Sequence, residues 1–290
     1  MPKDYHRVEV FCNRKNYKFP LLDHTCISCY ATISYVTFYW GYCMAKANRI
    51  LLITAPLLFS LIAGAFAALF YHGILLFNNP SSTRYPVRGV DVSAYQGDID
   101  WAVLSRQNIH FAFIKATDGS DFVDRCFQTN FKNALSTGLR VGAYHFFSRG
   151  STGKAQAEHY IATVPKIDGV LPPVVDFKLY GDNNTSTPER EVIRAELSTL
   201  LYELEAYYGL KPILYATETS YSVYLSGYYD SYDLWIRNVF TRPKLLRIRL
   251  WTFWQYTNRA RLDGYHGDER YIDLNVFNGT LEEFYNYPNN

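Results

Sequence analysis

Short apolar stretches alternate with helical ones from Val87 onward, and about eight of them fit into the final ~200 residues, as a closed barrel requires. An almost unbroken apolar run occupies residues 50–77. Together these patterns predict an α/β fold: a TIM-like (β/α) barrel with some late helices missing, preceded by a transmembrane helix.

Residues 1–43 are polar and aromatic, with no period that places an element. Met44 opens Met-Ala-Lys-Ala-Asn-Arg and runs into Ile50-Leu51-Leu52-Ile53, a short positive region followed by an apolar one. Signals and anchors begin this way. The expectation is that Met44 is the true start, that residues 1–43 arise from a start placed too early, and that residues 1–49 form an N-terminal segment before the apolar run. Cys12, Cys26, Cys29 and Cys43 all lie here, and only Cys126 lies beyond the apolar run. The main domain therefore has no internal disulfide and relies on its core. Cys26-x-x-Cys29 lacks the second close pair or the His pair that a zinc site needs.

Residues 50–77 exceed the length of about 20 that spans a bilayer, with mild breaks only at Pro56, Ser60, Gly64 and His72. A cleaved signal has a shorter apolar region. Ala63-Gly64-Ala65 resembles a cleavage pattern, but the length favours an uncleaved anchor. Lys46 and Arg49 precede the run, which places the N-terminus in the cytoplasm and the remainder outside. Residues 78–86 read as a polar linker.

Residues 87–290 form the barrel domain. Val90-Asp91-Val92, Phe111–Ala116, Leu139–Phe147 and Val174–Phe177 are the early strands, with helices at Phe127–Leu135 and around Ala155, Ala157 and Tyr160. Thr187-Pro188 starts the strongest helix, whose Ile193, Leu197, Leu200, Leu201 and Leu204 fall at helical spacing. Ile213–Ala216, Leu234–Ile236, Trp251–Tyr256 and Tyr271–Leu274 are later strands, and the helices between them are weak or missing.

Asp91, Asp176 and Asp273 each sit in or at the end of a predicted strand, where barrels converge their chemistry. Three such acids are costly unless they are hydrogen-bonded or useful. In a strand, side chains two apart point the same way. Asp176 and Lys178 therefore project together, with Val175 and Phe177 opposite. Aromatics reach 17%, which suits both a core and a cleft floored by flat rings. Carboxylates beside aromatics indicate glycoside hydrolysis. Net charge is +2 with no basic stripe in the barrel domain, which argues against a nucleic-acid partner. His110, His145, His159 and His266 are scattered without metal-ligand spacing, and His145 reads as a hydrogen-bonded core residue. No Gly-x-Ser-x-Gly or Gly-x-Gly-x-x-Gly occurs at the right context for a serine nucleophile or a dinucleotide.

The residues also match a family. Arg88–Gly97, Phe111–Gly119, Gly142–Phe146, Pro173–Asp176, Trp254-Gln255-Tyr256 and Ile272–Phe277 occur in the order found in family 25 glycoside hydrolases. The chain from Val87 to Phe284 resembles these N-acetylmuramidase-type lysozymes. The resemblance implies a barrel with fewer helices than the eight-fold form. It implies cleavage of the β-1,4 bond between N-acetylmuramic acid and N-acetylglucosamine in peptidoglycan, with no metal or cofactor. Glycan strands are then the partner, and the location is a bacterial inner membrane, single-pass, with the barrel outside the cytoplasm.

By position, Asp91, Asp176 and Asp273 match the family's active-site aspartates. Tyr95, Tyr144, Tyr215, Trp235 and Gln255 match substrate-binding positions. The residue two after Asp176 is the family's proton-donating glutamate, and here it is Lys178. A lysine near its ordinary pKa of about 10.4 is a poor acid catalyst at neutral pH. Three routes round this are open: substitution by Asp118 or Asp182, a lysine pKa lowered by burial, or a recent Glu-to-Lys lesion. Two functions follow: a muramidase impaired at one position, or an inactive membrane-anchored peptidoglycan-binding protein.

Overall fold

The computed structural model describes residues 27–76, 78–178, 187–246 and 249–288. The chain divides between Phe66 and Ala67 into two compact units. Asp182, Cys12 and Cys26, named above, lie outside the described residues, as does residue 77 at the end of the apolar run.

Helix α1 covers Ile27–Tyr71. It begins well before the predicted residue 50 and passes through Met44 without a break. Tyr35, Phe38, Tyr39 and Trp40 are all exposed on it. With large side chains all round rather than on one stripe, no amphipathic period marks this part in the sequence. Within α1, Leu51–Tyr71 is long and apolar enough to cross a membrane, and none of it is buried in protein. The helix stops at Tyr71, short of the predicted Phe77. Gly73 makes the turn with φ +66°, and a Cβ there would meet the Arg259 carbonyl oxygen at 2.2 Å.

From Ala67 on, the second unit is the barrel. Its strands are β1 (Arg88–Val92), β2 (Phe111–Asp118), β4 (Arg140–Phe146), β5 (Val174–Asp176), β6 (Ile213–Thr217), β7 (Leu234–Arg237), β8 (Phe253–Ala260) and β9 (Ile272–Phe277). A two-residue strand, β3 (Phe122–Val123), pairs only with the end of β2. The order β1-β9-β8-β7-β6-β5-β4-β2 closes through pairing of β1 with β2. Helices α2 (Trp101–Ser105), α3 (Phe127–Leu135), α4 (Gly153–Thr163) and α5 (Thr187–Tyr208) follow β1, β3, β4 and β5. After β6 come only α6 (Glu218–Ser220) and a π turn at Tyr221–Leu225, and α7 (Leu281–Tyr285) ends the domain.

The missing late helices change the topology. A parallel neighbour needs a long crossover, whereas a short connection returns the chain antiparallel. β8 and β9 are joined by a loop without a helix, and β9 runs antiparallel to both β8 and β1. Apart from β9 and the short β3, which is antiparallel to β2, the strands pair in parallel, as a (β/α) barrel implies.

Alternation along each strand builds two cores. Val90, Val92, Val175 and Phe177 face the helices. Phe111, Phe113, Val174, Ile213, Tyr215, Trp235 and Phe253 fill the barrel interior. Gly89 and Gly142 make room for that filling: a Cβ on Gly89 would lie 2.4 Å from the Phe111 ring, and one on Gly142 2.7 Å from Phe113.

Candidate active site

The inward side chains at one end of the barrel include the three aspartates. Asp91 is the fourth residue of β1, and Asp176 is the last of β5. Asp273 is near the start of β9. Because β9 runs in reverse, its start lies at the end where the parallel strands finish. Register places Asp273 directly opposite Asp91.

Two amides hold this pair. Gln255 Nε2 donates to Asp91 Oδ1 at 2.6 Å, to Asp91 Oδ2 at 2.7 Å and to Asp273 Oδ2 at 2.8 Å. The Tyr215 hydroxyl donates to Gln255 Oε1 at 2.7 Å, which turns the NH2 end of the amide toward the acids. Asn275 Nδ2 donates to Asp91 Oδ2 at 3.3 Å, and Trp235 Nε1 donates to Asn275 Oδ1 at 2.8 Å. Phenol and indole thus orient the two amides that face Asp91. Burial raises the Asp91 carboxyl above its ordinary value, opposed by the Gln255 bond and the Lys178 charge. Burial, then the Asp91 charge, raises Asp273 well above the carboxylate range. Two carboxyls this close titrate as a pair and retain a proton more readily than either would alone.

Asp176 is held differently. Lys178 Nζ lies 2.9 Å from Asp176 Oδ2 and 4.2 Å from the centroid of the Tyr215 ring. Asp176 Oδ1 is buried with no hydrogen-bond partner in the described structure. Burial lifts the Asp176 carboxyl to about 6, with Lys178 pulling the other way. The i, i+2 reading of Asp176 and Lys178 therefore matches the geometry. Tyr144 is half-buried, and burial, with the charges of Asp91, Asp176 and Asp273, raises its phenol far above the ordinary value.

The remaining predicted positions divide. Tyr95 is 70% exposed just beyond β1, free to meet a polymer. Trp235 has no exposed surface, and Tyr215 and Gln255 are nearly as buried. Trp235 stacks on Tyr215 with ring centroids 3.8 Å apart. The expectation that Trp235 touches substrate is corrected: it lies beneath the acids and acts on them through Asn275. Asn275 was not singled out in the sequence, although it sits two residues after Asp273 on the same strand face. Asp118 is committed to Lys115, with Oδ2 3.0 Å from Nζ. His145 is a buried core residue, bonded to Thr117 at 2.8 Å and Gln156 at 3.0 Å, and burial depresses it to about 4. The described residues contain no group of three or more side chains able to hold a metal.

The profile of the glycosyl hydrolases family 25 matches residues 90–265. The chain belongs to this family. Its barrel is accordingly a glycoside hydrolase domain, with the acids at the end where barrels carry their chemistry. An uncharacterized protein, YegX, of Escherichia coli strain K12 is 36% identical over 204 residues, covering 69% of this chain and 72% of that protein. Lysozyme M1 of Streptomyces globisporus is 29% identical over 217 residues, covering 70% of this chain and 72% of the lysozyme. Among solved structures, a family 25 glycosyl hydrolase from Bacillus anthracis superposes with a TM-score of 0.67 at 53% identity, covering 72% of this chain and 97% of that one. A lysozyme from Streptomyces coelicolor gives 0.60 at 27% identity, covering 70% of this chain and 97% of that one. The family match runs from within β1 to just past β8, with α1 before it and β9 after it.

Proposed function

We propose that the family 25 domain takes peptidoglycan glycan strands into this cleft and cleaves the β-1,4 bond between N-acetylmuramic acid and N-acetylglucosamine. The observation that carries the reading is that Asp91, Asp176 and Asp273 lie at one end of the barrel, Asp91 and Asp273 bridged by Gln255 and Asp176 paired with Lys178. Glycoside cleavage needs one group that protonates the departing oxygen and carboxylates that stabilise positive charge at the sugar carbon. The carboxylates are in place. The proton donor's position carries Lys178, whose ammonium pairs with Asp176 and opposes the charge that develops on the sugar. A positioned general acid is worth typically ~10²–10⁴ in rate, and Lys178 sets hydrolysis lower by that factor.

The same ion pair favours a second reading, in which the cleft holds glycan without cutting it. Leu51–Tyr71 supplies the proposed single-pass anchor, residues 78–86 the linker, and residues 87–290 the domain outside the cytoplasm. Clearing of purified cell-wall suspensions by the wild-type chain, beside Lys178→Glu, separates the readings. Slow clearing by the wild type and fast clearing by the variant supports an impaired muramidase. Clearing only by the variant supports the binding protein. Equal clearing by both refutes the role given to Lys178.

A further inference from the structure

The β8–β9 connection carries three arginines that the cleft does not use. Arg259 lies on β8, Arg261 just past its end and Arg270 just before β9. Arg259 and Arg261 gather round one phenol, that of Tyr271, and Arg270 immediately precedes it in the chain. The guanidinium carbons of Arg259 and Arg261 lie 4.5 Å and 5.6 Å from the centroid of the Tyr271 ring. Burial would raise the Tyr271 hydroxyl, but the Arg261 hydrogen bond, the Arg259 charge and the Arg270 hydrogen bond outweigh it and bring it below its ordinary value.

This cluster meets the end of α1. Arg259 Nη2 and the Tyr271 hydroxyl both donate to the Tyr71 carbonyl, one of the acceptors that a helix end leaves without an internal partner. Arg259 Nη2 also lies 3.2 Å from the Tyr271 hydroxyl. Its Nε is buried and has no hydrogen-bond partner among the described residues. Among the described residues, no carboxylate lies within ion-pair distance of the three arginines. The nearby acids are engaged elsewhere: Asp268 faces Arg125 at 3.7 Å, and Glu269 Oε1 accepts from the Tyr271 backbone N–H at 3.1 Å.

Guanidinium groups gathered without a carboxylate, one with a buried unused N–H, match the oxygens of a phosphate. The location indicates whose phosphate. Tyr71 is the last residue of the apolar stretch Leu51–Tyr71, and a chain leaving a bilayer there is at the level of the lipid headgroups. Ile74 follows, 64% exposed.

We propose that Arg259, Arg261 and Arg270 bind the headgroup phosphate of an anionic phospholipid beside the end of α1. The proposal rests on the reading of Leu51–Tyr71 as a membrane anchor. Phosphatidylglycerol fits this site better than phosphatidylcholine, whose quaternary ammonium brings a second positive charge toward the arginines.

The test uses the full chain in detergent micelles, titrated with phosphatidylglycerol or phosphatidylcholine, with retained lipid counted by native mass spectrometry. Phosphatidylglycerol is expected to be retained roughly thirtyfold more tightly, the contribution of two basic side chains at a membrane surface. Arg261→Gln with Arg270→Gln removes that preference, while the double Lys variant keeps part of it. Neither residue bonds to α1 in the described structure, so the fold is retained, and an unchanged tryptophan emission spectrum checks this. Equal retention of the two lipids overturns the proposal, as does a preference that survives in the Gln variant. Saturation by inorganic phosphate without any lipid preference overturns it in favour of a free-phosphate site. Alkaline carbonate extraction of membranes reads the anchor separately: release of the chain breaks the anchor reading while the micelle titration still reports on the arginines.

Discussion

The two sides of the cleft hold their carboxylates by opposite means. At β1 and β9, Asp91 and Asp273 receive neutral donors: the amides of Gln255 and Asn275, each oriented by a buried ring. At β5, Asp176 receives an ammonium on one oxygen and, among the described residues, nothing on the other. A neutral amide steadies a carboxylate and leaves its charge available to a cationic sugar carbon. A lysine steadies it by cancelling that charge. On the proposed function, the first side suits glycosidase chemistry and the second works against it at a single residue.

The largest expected effect comes from making the sides alike. Lys178→Glu is expected to raise cell-wall hydrolysis by ~10²–10⁴, read by turbidity, and adding Asp273→Asn to that variant should remove most of the gain.

A second effect concerns pH. Folded Asp176 keeps its proton up to about pH 6, against an ordinary 3.8. Between those values the folded state binds more protons than the unfolded one. Stability therefore falls as pH rises through that window, by about 3 kcal/mol from this group. Below it both states are protonated and the loss is absent. Asp176→Asn should flatten this part of the profile, measured by urea unfolding of the full chain in detergent at pH 4 and pH 7.

On the other side, Gln255→Leu leaves Asp91 and Asp273 buried without their shared donor. The expected loss is about 1–3 kcal/mol at neutral pH, shrinking in acid as both carboxyls become protonated. The smallest effect is Tyr215→Phe. It removes only the hydroxyl that orients Gln255, for about 0.5–1.5 kcal/mol, with a lowered hydrolysis rate in the Lys178→Glu background. If Tyr215→Phe costs as much as Gln255→Leu, the phenol supports more than the amide's orientation and the contrast between the two sides needs redrawing.

Much of this site was legible in the chain. Val90-Asp91-Val92 and Val174-Val175-Asp176 are acids set in apolar runs, which only a strand end explains, and the spacing of two placed Lys178 beside Asp176. The role of Trp235 was not legible. An aromatic residue on a strand reads the same whether it faces a sugar or the barrel interior, and only its neighbours Phe113 and Tyr215 decide. Nor was the bridging of Asp91 and Asp273 by Gln255, which depends on β9 turning antiparallel and bringing distant strands into register.

By itself the sequence determined the strands, the strongest helix, the apolar stretch and the identity of the acids, because each rests on local periodicity or on a run of a few residues. Tertiary structure alone decided which acids share a donor, which rings are buried beneath them and that Arg259 closes the end of α1. The first two arise from closing the barrel, which brings into contact residues more than a hundred positions apart, such as Asp91 and Gln255, and the third from a contact between residues just as distant; no local pattern records either.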